Sequence, residues 1–561
     1  MTSFTDHQPA EPADELFYNG CIYTVDSCRT VASAMAIKGD RIVYIGDDNG
    51  SHNWKGDHTR TVDLEKKLVL PGFVDSHNHA VDAVGAIYEL WLHGYSSVPD
   101  YLRAIDKHAS SHPRIKALRG SGWVNAFFDP HGPTAAMLDT VTAGIPALIY
   151  SQDYHSAWVN SEALARAGIT SGTPDPGGGF IERDEHGMPT GTLRETAMEL
   201  VESILPAYSQ DQLKEGLQHF QSEAHSYGVT TVYIPSIKDD EMDALLDLQE
   251  SGRLAVRFRA GLEVKPKDDE ACIQEMLGKR KERQGAFFKI IGAKLFMDGV
   301  LEGGTAFLEK PYSHRPGWSG ESRWEAQKYK QMCTALEKVG FQIHVHSIGD
   351  AATRLTLDGL SYARQQNGAR DTRHLITHLQ LVNAEDIDRF AELKVIAVPQ
   401  PFWFVVDANY DQAVRYIGRR RANRQYPMKS FFDRGVIVAS ASDYNVTIPW
   451  NPMLAVEAGI TRRAPRDGAG LVNPDFTRAL NPAESVSVEQ MIASFTIHGA
   501  LATFTERETG SLEIGKKGDF VVLDQNILLV DPSNIHRTQV LLTYFSGKEV
   551  FRHASFPDQG G

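Results

Sequence analysis

Short apolar runs alternate with amphipathic stretches through the middle of the chain. The runs have the length and β-branched content of buried strands, and the stretches between them have apolar residues at helical spacing. Strands are predicted at 229–234, 256–262, 287–297, 341–346, 374–378, 395–398 and 436–441. Helices are predicted before them at about 209–227, 239–252, 268–284, 323–339, from Ala351 onwards and at 383–392. Repeated β/α units favour an α/β fold, and roughly eight strands favour a (β/α)₈ TIM barrel over an open doubly wound sheet.

Both ends of the chain have a different pattern, in which short β-rich runs follow one another. Residues 16–45 contain a predicted hairpin with its turn at Lys38-Gly39-Asp40, and residues 510–545 have the same texture. Chain termini often lie close together. We therefore predict a small β-sandwich domain formed from residues 14–68 and 505–555, and a barrel formed from residues 69–504.

The segment from about 100 to 225 interrupts the β/α rhythm. It contains the runs Gly120-Ser121-Gly122-Trp123 and Pro174-Asp175-Pro176-Gly177. It is much longer than a barrel loop of about 2–6 residues. We predict an inserted subdomain between the first and second barrel strands, and we expect it to shape the substrate site.

Composition narrows the class of protein. The 561 residues carry a formal net charge of -15, which argues against a nucleic-acid or anionic-membrane partner. The N-terminal residues are polar, and no run approaches the roughly 18 apolar residues of a membrane-spanning helix. Four cysteines are too few for a disulfide framework, so we expect reduced thiols and a cytoplasmic protein. The sequence leaves the oligomeric state open, a homo-oligomer included.

Metal-ligating side chains follow several predicted strands. The sequence Leu-Pro-Gly-Phe-Val-Asp-Ser-His-Asn-His places two histidines two residues apart, and on a strand both would point to one side. Taken singly, each candidate has an ordinary alternative, such as a packed core histidine or an aspartate that caps a helix. Taken together, imidazoles, one lysine and one carboxylate at strand ends suit Zn²⁺ or a similar divalent ion. The candidate ligands are His77, His79, Lys294, His346, His378 and Asp443.

Two of these predicted strands carry further side chains or charges that bear on a metal site. His344 and His346 lie on the same face of their predicted strand. Lys294 lies in an apolar strand, where a charged amine is costly unless it is paired or reaches the strand edge. Addition of CO₂ would remove that charge and create a carboxylate that can bind metal.

These motifs together resemble the amidohydrolase superfamily, and more narrowly its YtcJ-like (amidohydrolase 3) branch, which includes N-substituted formamide deformylases. The resemblance covers nearly the whole chain and rests on residues 70–79, 153–160, 294–299, 346–351, 378–380, 442–443 and 510–524. It implies a site with one or two divalent ions, Zn²⁺ being the first candidate. By position, His77, His79 and Asp443 would bind one ion, and His346 and His378 the other. Carboxylated Lys294 would bridge the two.

The resemblance also implies a function. We expect a hydrolase that cleaves a C–N, amide-type bond of a small organic substrate by attack of metal-activated hydroxide. Asp443 would act as general acid and base, and His155 would stabilise the oxyanion. Two alternatives are a deaminase or cyclic-amide hydrolase with the same ligands, and a barrel protein without catalytic activity.

Four residues are predicted to contact the substrate: Trp123, Tyr154, Asp298 and Trp403. For the aromatic residues, ordinary core packing is the competing interpretation. Asp298 and Glu302 follow Lys294 on a glycine-rich loop, where they could instead support the site or be solvated. Tyr154, and the pair Tyr444-Asn445 after Asp443, depart from the pattern common among the relatives and bear on substrate identity.

Overall fold

The computed structural model describes residues 11–466 and 471–556, so the polar leader at residues 1–10 lies outside the described ranges. The strands, in chain order, are β1 (Glu15–Tyr18), β2 (Cys21–Tyr23), β3 (Val31–Ala32), β4 (Ala34–Lys38), β5 (Arg41–Gly46), β6 (Arg60–Asp63), β7 (Leu68–Pro71), β8 (Phe73–Asp75), β9 (Leu90–Trp91), β10 (Leu118–Trp123), β11 (Ala147–Ser151), β12 (Ser156–Val159), β13 (Gly179–Arg183), β14 (Pro189–Glu195), β15 (Val229–Ile234), β16 (Arg257–Glu263), β17 (Phe288–Phe296), β18 (Gln342–Ser347), β19 (Leu375–His378), β20 (Ile396–Val398), β21 (Phe520–Leu523), β22 (Val540–Phe545) and β23 (Lys548–Arg552).

The α-helices are α1 (Asp48–Ser51), α2 (Ala83–Tyr88), α3 (Val98–Ser111), α4 (Ala135–Asp139), α5 (Ser161–Arg166), α6 (Glu199–Glu202), α7 (Gln210–Ser226), α8 (Asp239–Glu250), α9 (Ala271–Glu282), α10 (Ala326–Lys338), α11 (Asp350–Asn367), α12 (Ala384–Leu393), α13 (Ala408–Ile417), α14 (Arg419–Ala422), α15 (Met428–Asp433), α16 (Pro452–Thr461), α17 (Val488–Ser494) and α18 (Ile497–Ala502). No helix in the described ranges is long and apolar enough to cross a membrane.

Seven parallel strands form a curled sheet in the order β20-β19-β18-β17-β16-β15-β8. Residues 436–441 run between its two edges. The Ala439 N–H donates to the Ala397 carbonyl at 2.9 Å on one side, and the Ser76 N–H donates to the Ser440 carbonyl at 3.3 Å on the other. The mixed α/β fold therefore fits a TIM-like barrel.

The helical and strand periods predicted this sheet well. The strand predicted at 229–234 is β15 to the residue, and the helices α7 to α12 lie where they were expected. The last predicted strand, 436–441, was wrong in one respect, because it makes one isolated bridge, between Val438 and Ala397, rather than a ladder. Its hydrogen bonds are divided between the two edges of the curled sheet.

The chain between β8 and β15 builds a second sheet of six strands. Their order is β13-β14-β12-β11-β10-β9, and the pairs of β12 and β14 with their neighbours are antiparallel. This sheet has its own apolar core, which includes Trp123, Ile149 and Trp158 on one side and Leu148, Val159 and Leu193 on the other. The insert therefore has a packed scaffold that can hold side chains over the barrel.

Two further sheets involve the ends of the described chain. One has four strands in the order β5-β4-β1-β6, and the other has six in the order β23-β22-β21-β7-β2-β3. The second contains strands from both ends, and residues of both sheets, including Phe17, Met35, Phe520 and Tyr544, pack in one cluster. The hairpin turn at Gly39-Asp40 lies where it was predicted. The β-sandwich arrangement and the domain bounds stay predictions.

A buried ion pair joins the barrel to the sheet from both ends. Arg257 of β16 donates to Asp519, which precedes β21, at 2.7 Å, and both side chains are at most 2% exposed. Arg257 also donates to Thr231 of β15, and Asp519 accepts the Ser546 N–H. With these extra hydrogen bonds the pair is satisfied, as a buried pair must be if it is not to destabilise the fold.

Candidate metal centre and substrate cavity

The strand ends of the barrel bring the predicted ligands together. His77 and His79 follow β8, and Asp443 follows residues 436–441. The Asp443 N–H donates to the His77 carbonyl at 2.9 Å, so the backbone itself fixes the distance between these two segments. His346 and His378 lie in the last residues of β18 and β19. All five are at the C-terminal ends of barrel strands, where TIM-barrel active sites lie.

Three ligand atoms, one each from His77, His378 and Asp443, lie within 4.8 Å of one another. The Asp443 Oδ1 atom is 3.3 Å from Nε2 of His77 and 3.3 Å from Nε2 of His79. The same Oδ1 is buried and has no hydrogen-bond partner among the described residues. A buried carboxylate oxygen without a donor, surrounded by imidazole nitrogens, fits a divalent cation.

The protonation states of these residues suit metal ligands. Burial, followed by the charge of Lys294, holds the pKa of His77 well below its usual range. Burial also lowers the pKa of His378 to about 3. Burial alone would raise the pKa of Asp443, but the close approach of His79, followed by that of His378 and Lys294, holds it below its ordinary value. Near pH 7 the imidazoles are therefore neutral with a free lone pair, and the carboxylate is ionised.

Two residues outside the predicted ligand set hold the first strand's histidines. His344 Nε2 lies 2.9 Å from His77 Nδ1, and Asp75 accepts the His77 N–H at 3.3 Å and the Ser442 N–H at 3.0 Å. Such contacts fix the ring orientation of a metal-binding histidine. The spacing of His344 from His346 was a signal for the first, and Asp75 lies within the run 70–79 that carries the family resemblance, but the sequence assigned neither residue a role.

The remaining predicted ligands lie beside this group. The His346 ring centre is 4.5 Å from that of His378, and its Nε2 atom is 3.2 Å from the Gly299 carbonyl. Lys294 is 1% exposed, its ammonium lies 4.6 Å from the Phe296 ring centre, and burial lowers its pKa to about 7. The compact group combines His378 with the residues assigned to the other ion, so the division of the histidines between two ions stays a prediction.

His155 enters the site from the insert. Its Nδ1 atom lies 2.7 Å from Oε2 of Glu195, the last residue of β14. Glu195 also accepts from Thr305 at 2.6 Å and pairs with Arg323, both in loops of the barrel. Burial would lower the pKa of His155, but the charge and hydrogen bond of Glu195 raise it above its ordinary value. No sequence signal indicated Glu195, because its contacts with the barrel depend on how β14 packs in three dimensions.

A cavity of about 140 Å³ opens beside these side chains and is lined by His155, His346, His378 and Asp443. Predicted substrate contacts Trp123 and Trp403 are in its wall, together with Phe402, Tyr410 and Tyr426. The Trp403 ring stacks on His378 at 5.6 Å and 13°, and its Nε1 donates to Thr447. The site therefore combines polar groups at one end with aromatic surface, as small-molecule sites commonly do.

Two predicted substrate contacts have other partners. Tyr154 and Asp298 are not among the described residues that line the cavity. The Tyr154 hydroxyl accepts from Asn445 at 2.7 Å, so two departures from the relatives' pattern contact each other. Asp298 is fully buried and accepts the N–H groups of Ile348 and Gly349, which positions the loop after His346. This placement favours a supporting role for both side chains over direct contact with substrate.

The chain is similar in sequence to several known proteins. The profile described as the amidohydrolase family matches residues 60–551. The protein LONG AFTER FAR-RED 3 of Arabidopsis thaliana is 30% identical, over 96% of this chain and 92% of that protein. The putative amidohydrolase YtcJ of Bacillus subtilis is 26% identical, over 96% and 99%. The N-substituted formamide deformylase of Arthrobacter pascens is 24% identical, over 95% and 97%.

Solved structures agree with this relationship. An uncharacterized metal-dependent hydrolase from Pyrococcus furiosus is 26% identical, with a TM-score of 0.68, over 92% of this chain and 99% of that one. The zinc complex of atrazine chlorohydrolase TrzN from Arthrobacter aurescens TC1 is 14% identical, with a TM-score of 0.52, over 96% and 95%. The second likeness concerns the fold alone.

Proposed function

The chain belongs to the amidohydrolase family, in its YtcJ-like branch, and it is a metal-dependent hydrolase; we propose that it cleaves the C–N bond of an amide in a small organic substrate. The observation that carries this proposal is the Asp443 carboxylate, whose buried Oδ1 has no hydrogen-bond partner among the described residues and faces imidazole nitrogens beside the cavity. N-substituted formamides and N-acyl compounds are the first candidates, because the Arthrobacter pascens relative is named as an N-substituted formamide deformylase.

His77, His79, His378 and Asp443 would hold a divalent ion, with His346 and Lys294 available for a second. When bound, such an ion polarises the scissile carbonyl and lowers the pKa of an attacking water. Zn²⁺ is the proposed ion, since the donors are imidazoles and carboxylate and a relative in fold is known as a zinc complex. Lys294 is proposed to be carboxylated, because a buried amine with a pKa of about 7 is largely uncharged and nucleophilic above that pH.

Two side chains of the chain would move or hold protons. Asp443 is ionised and lines the cavity, so it can accept a proton from the attacking water and return it to the leaving nitrogen. His155 uses Nδ1 on Glu195, which leaves Nε2–H to donate to the oxygen that becomes negative as the amide carbon turns tetrahedral. The aromatic wall would hold the organic part of the substrate and exclude water.

A second candidate is a deaminase or cyclic-amide hydrolase. The three ligand atoms of His77, His378 and Asp443 fit a single ion, and a site with one ion favours this second candidate. Products separate the two, because a linear amide gives an acid and an amine, a lactam gives one amino acid, and a deamination releases ammonia.

A substrate panel tests the proposal. Formamides, N-acyl amino acids, lactams, aryl amides and aminopyrimidines would be incubated with the zinc-loaded protein, and products identified by mass spectrometry. We expect turnover of linear amides and a fall of at least about 100-fold in Asp443→Asn, which keeps the side-chain volume but not the base. Cys28→Ser, at an exposed position, is the control. Turnover of Asp443→Asn near the wild-type rate would contradict the role of Asp443, and cleavage of lactams or aminopyrimidines alone would contradict the linear-amide assignment.

A further inference from the structure

The cavity beside the candidate metal ligands is lined by several acidic side chains. Besides Asp443, the described lining residues include three carboxylates, Asp153, Glu302 and Asp407, and they include no lysine or arginine. Glu195, 2.7 Å from His155, balances the charge of that ring in its protonated form. The organic end of the cavity is therefore electronegative, and it offers no cation to a substrate carboxylate.

Two of the three carboxylates accept hydrogen bonds that stabilise local structure. Asp407 caps α13, where its Oδ1 accepts the N–H groups of Asn409 and Tyr410 at 3.0 and 3.1 Å. Asp153 accepts the His155 N–H at 3.0 Å and the Asn125 side-chain amide at 3.0 Å. Both side chains thus have structural donors that explain their presence.

The Glu302 side chain does not accept a comparable set of structural hydrogen bonds. Among the described residues, Gln380 is the one side chain that donates to its carboxylate, at 3.3 Å, and the carboxylate forms no ion pair with any of them. The Gln380 side chain is itself held by Gln425 at 2.7 Å, and the Glu302 carbonyl accepts from Gln412 at 2.8 Å. The loop is therefore fixed, while no charged donor among the described residues reaches the carboxylate. Burial, followed by the charge of Asp153, raises the pKa of Glu302 to about 7, as expected for an acid that lacks a cation.

We propose that Glu302 binds a protonated amine of the substrate, so that the enzyme selects amides that carry a basic nitrogen away from the scissile bond. This inference rests on the proposed amide hydrolysis. A charged N–H donor would supply the hydrogen bond and the counter-charge that the carboxylate lacks. Aromatic side chains such as Trp403 and Tyr426 in the same wall also favour organic cations. N-Acyl amino acids, which bring a carboxylate, would be poor substrates because that charge would meet Glu302 without a compensating cation.

The test compares a matched pair of formamides, one with a terminal amine and one with a methyl group of similar size in its place. We expect the wild type to prefer the amine by about 10- to 100-fold in kcat/KM, the range of a charge-assisted hydrogen bond. Glu302→Gln should remove that preference, so that the kcat/KM values of the two formamides differ by less than about threefold. Glu185→Gln, the same substitution at an exposed turn of the insert, should change neither.

A binding measurement keeps this inference separate from the proposed reaction. Titration calorimetry would compare an alkylamine with the corresponding alcohol on the zinc-loaded wild type and on Glu302→Gln. Preferential binding of the amine that depends on Glu302, with neither formamide cleaved, would overturn the amide reaction and support the recognition role. Equal binding of amine and alcohol by the wild type, or equal effects of Glu302→Gln on both formamides, would overturn the recognition role.

Discussion

At the scale of single residues, burial and charge determine which groups can act. Burial keeps the His77 and His378 imidazoles neutral. The same burial would raise the pKa of Asp443, but neighbours that include His79 and Lys294 hold that pKa below its ordinary value. The site therefore contains neutral nitrogens and an ionised oxygen within a few ångströms, an arrangement that would be costly without a bound cation. Six candidate ligands could be recognised from the sequence because each follows an apolar run. The supporting groups Glu195 and His344 could not be given roles, since their partners are distant in the chain.

Glu195 offers a test of how the insert contributes to catalysis. We expect Glu195→Gln to lower kcat by about 10- to 100-fold with little change in KM, because His155 loses the partner that orients it. Loss of the Glu195 charge should also lower the pKa of His155. If the protonated ring donates to the oxyanion, the alkaline limb of the kcat profile then moves to lower pH.

The matched control for Glu195 is Glu199→Gln. Glu199 follows Glu195 closely in the chain, and its substitution breaks a surface ion pair with Lys265. It should leave both kcat and the pH profile unchanged. A Glu195→Gln variant with a lower kcat but an unshifted alkaline limb would show that Glu195 has only a structural role.

At the scale of elements, the barrel units were predictable, whereas the strands within the insert were not. Helices such as α7 have clear start signals, since Ser209 accepts the Gln212 N–H and Gln212 accepts the Ser209 N–H. The barrel strands are buried on both faces and appear as continuous apolar runs. In contrast, β10 contains Gly120, Ser121 and Gly122, so its sequence resembles a loop, and only pairing with β9 and β11 makes it a strand.

The start of α8 provides a pH-dependent prediction. Glu241 accepts the Lys238 N–H at this helix start, and burial, followed by the charge of Asp82, raises its pKa to about 7. Between the unfolded value, near 4.5, and about 7, the folded state holds a proton that the unfolded state has released. The contribution of Glu241 to stability therefore falls as pH rises through this window, by up to about 3 kcal/mol.

Glu241→Gln keeps a side-chain acceptor for the helix start without an ionisable group. Relative to wild type, its thermal midpoint should rise as pH increases from about 5 to 8. A difference between the two midpoints that stays constant over this range would contradict the assignment of the raised pKa to Glu241. The measurement is thermal unfolding followed by circular dichroism.

At the scale of the whole molecule, the site depends on parts far apart in the sequence. Residues 73–79 and 436–443 supply His77, His79 and Asp443, the insert supplies His155, and the buried Arg257–Asp519 pair attaches the sheet from both chain ends to the barrel. The repeat of β/α units and the β-rich ends could be inferred from the sequence. The contact between Glu195 of the insert and Thr305 of the barrel could not, because it depends on how separately folded sheets pack.

The most direct test of this account is the rate of amide cleavage by metal-free protein as Zn²⁺ is added back, with bound zinc counted in the same samples. We predict negligible turnover without metal and recovery that reaches a plateau at one or two bound ions per chain. His77→Ala should reduce both the zinc bound and the recovered rate. Metal-free protein that turns over at the full rate, or recovery in His77→Ala equal to wild type, would contradict a metal-dependent site built on His77, His378 and Asp443.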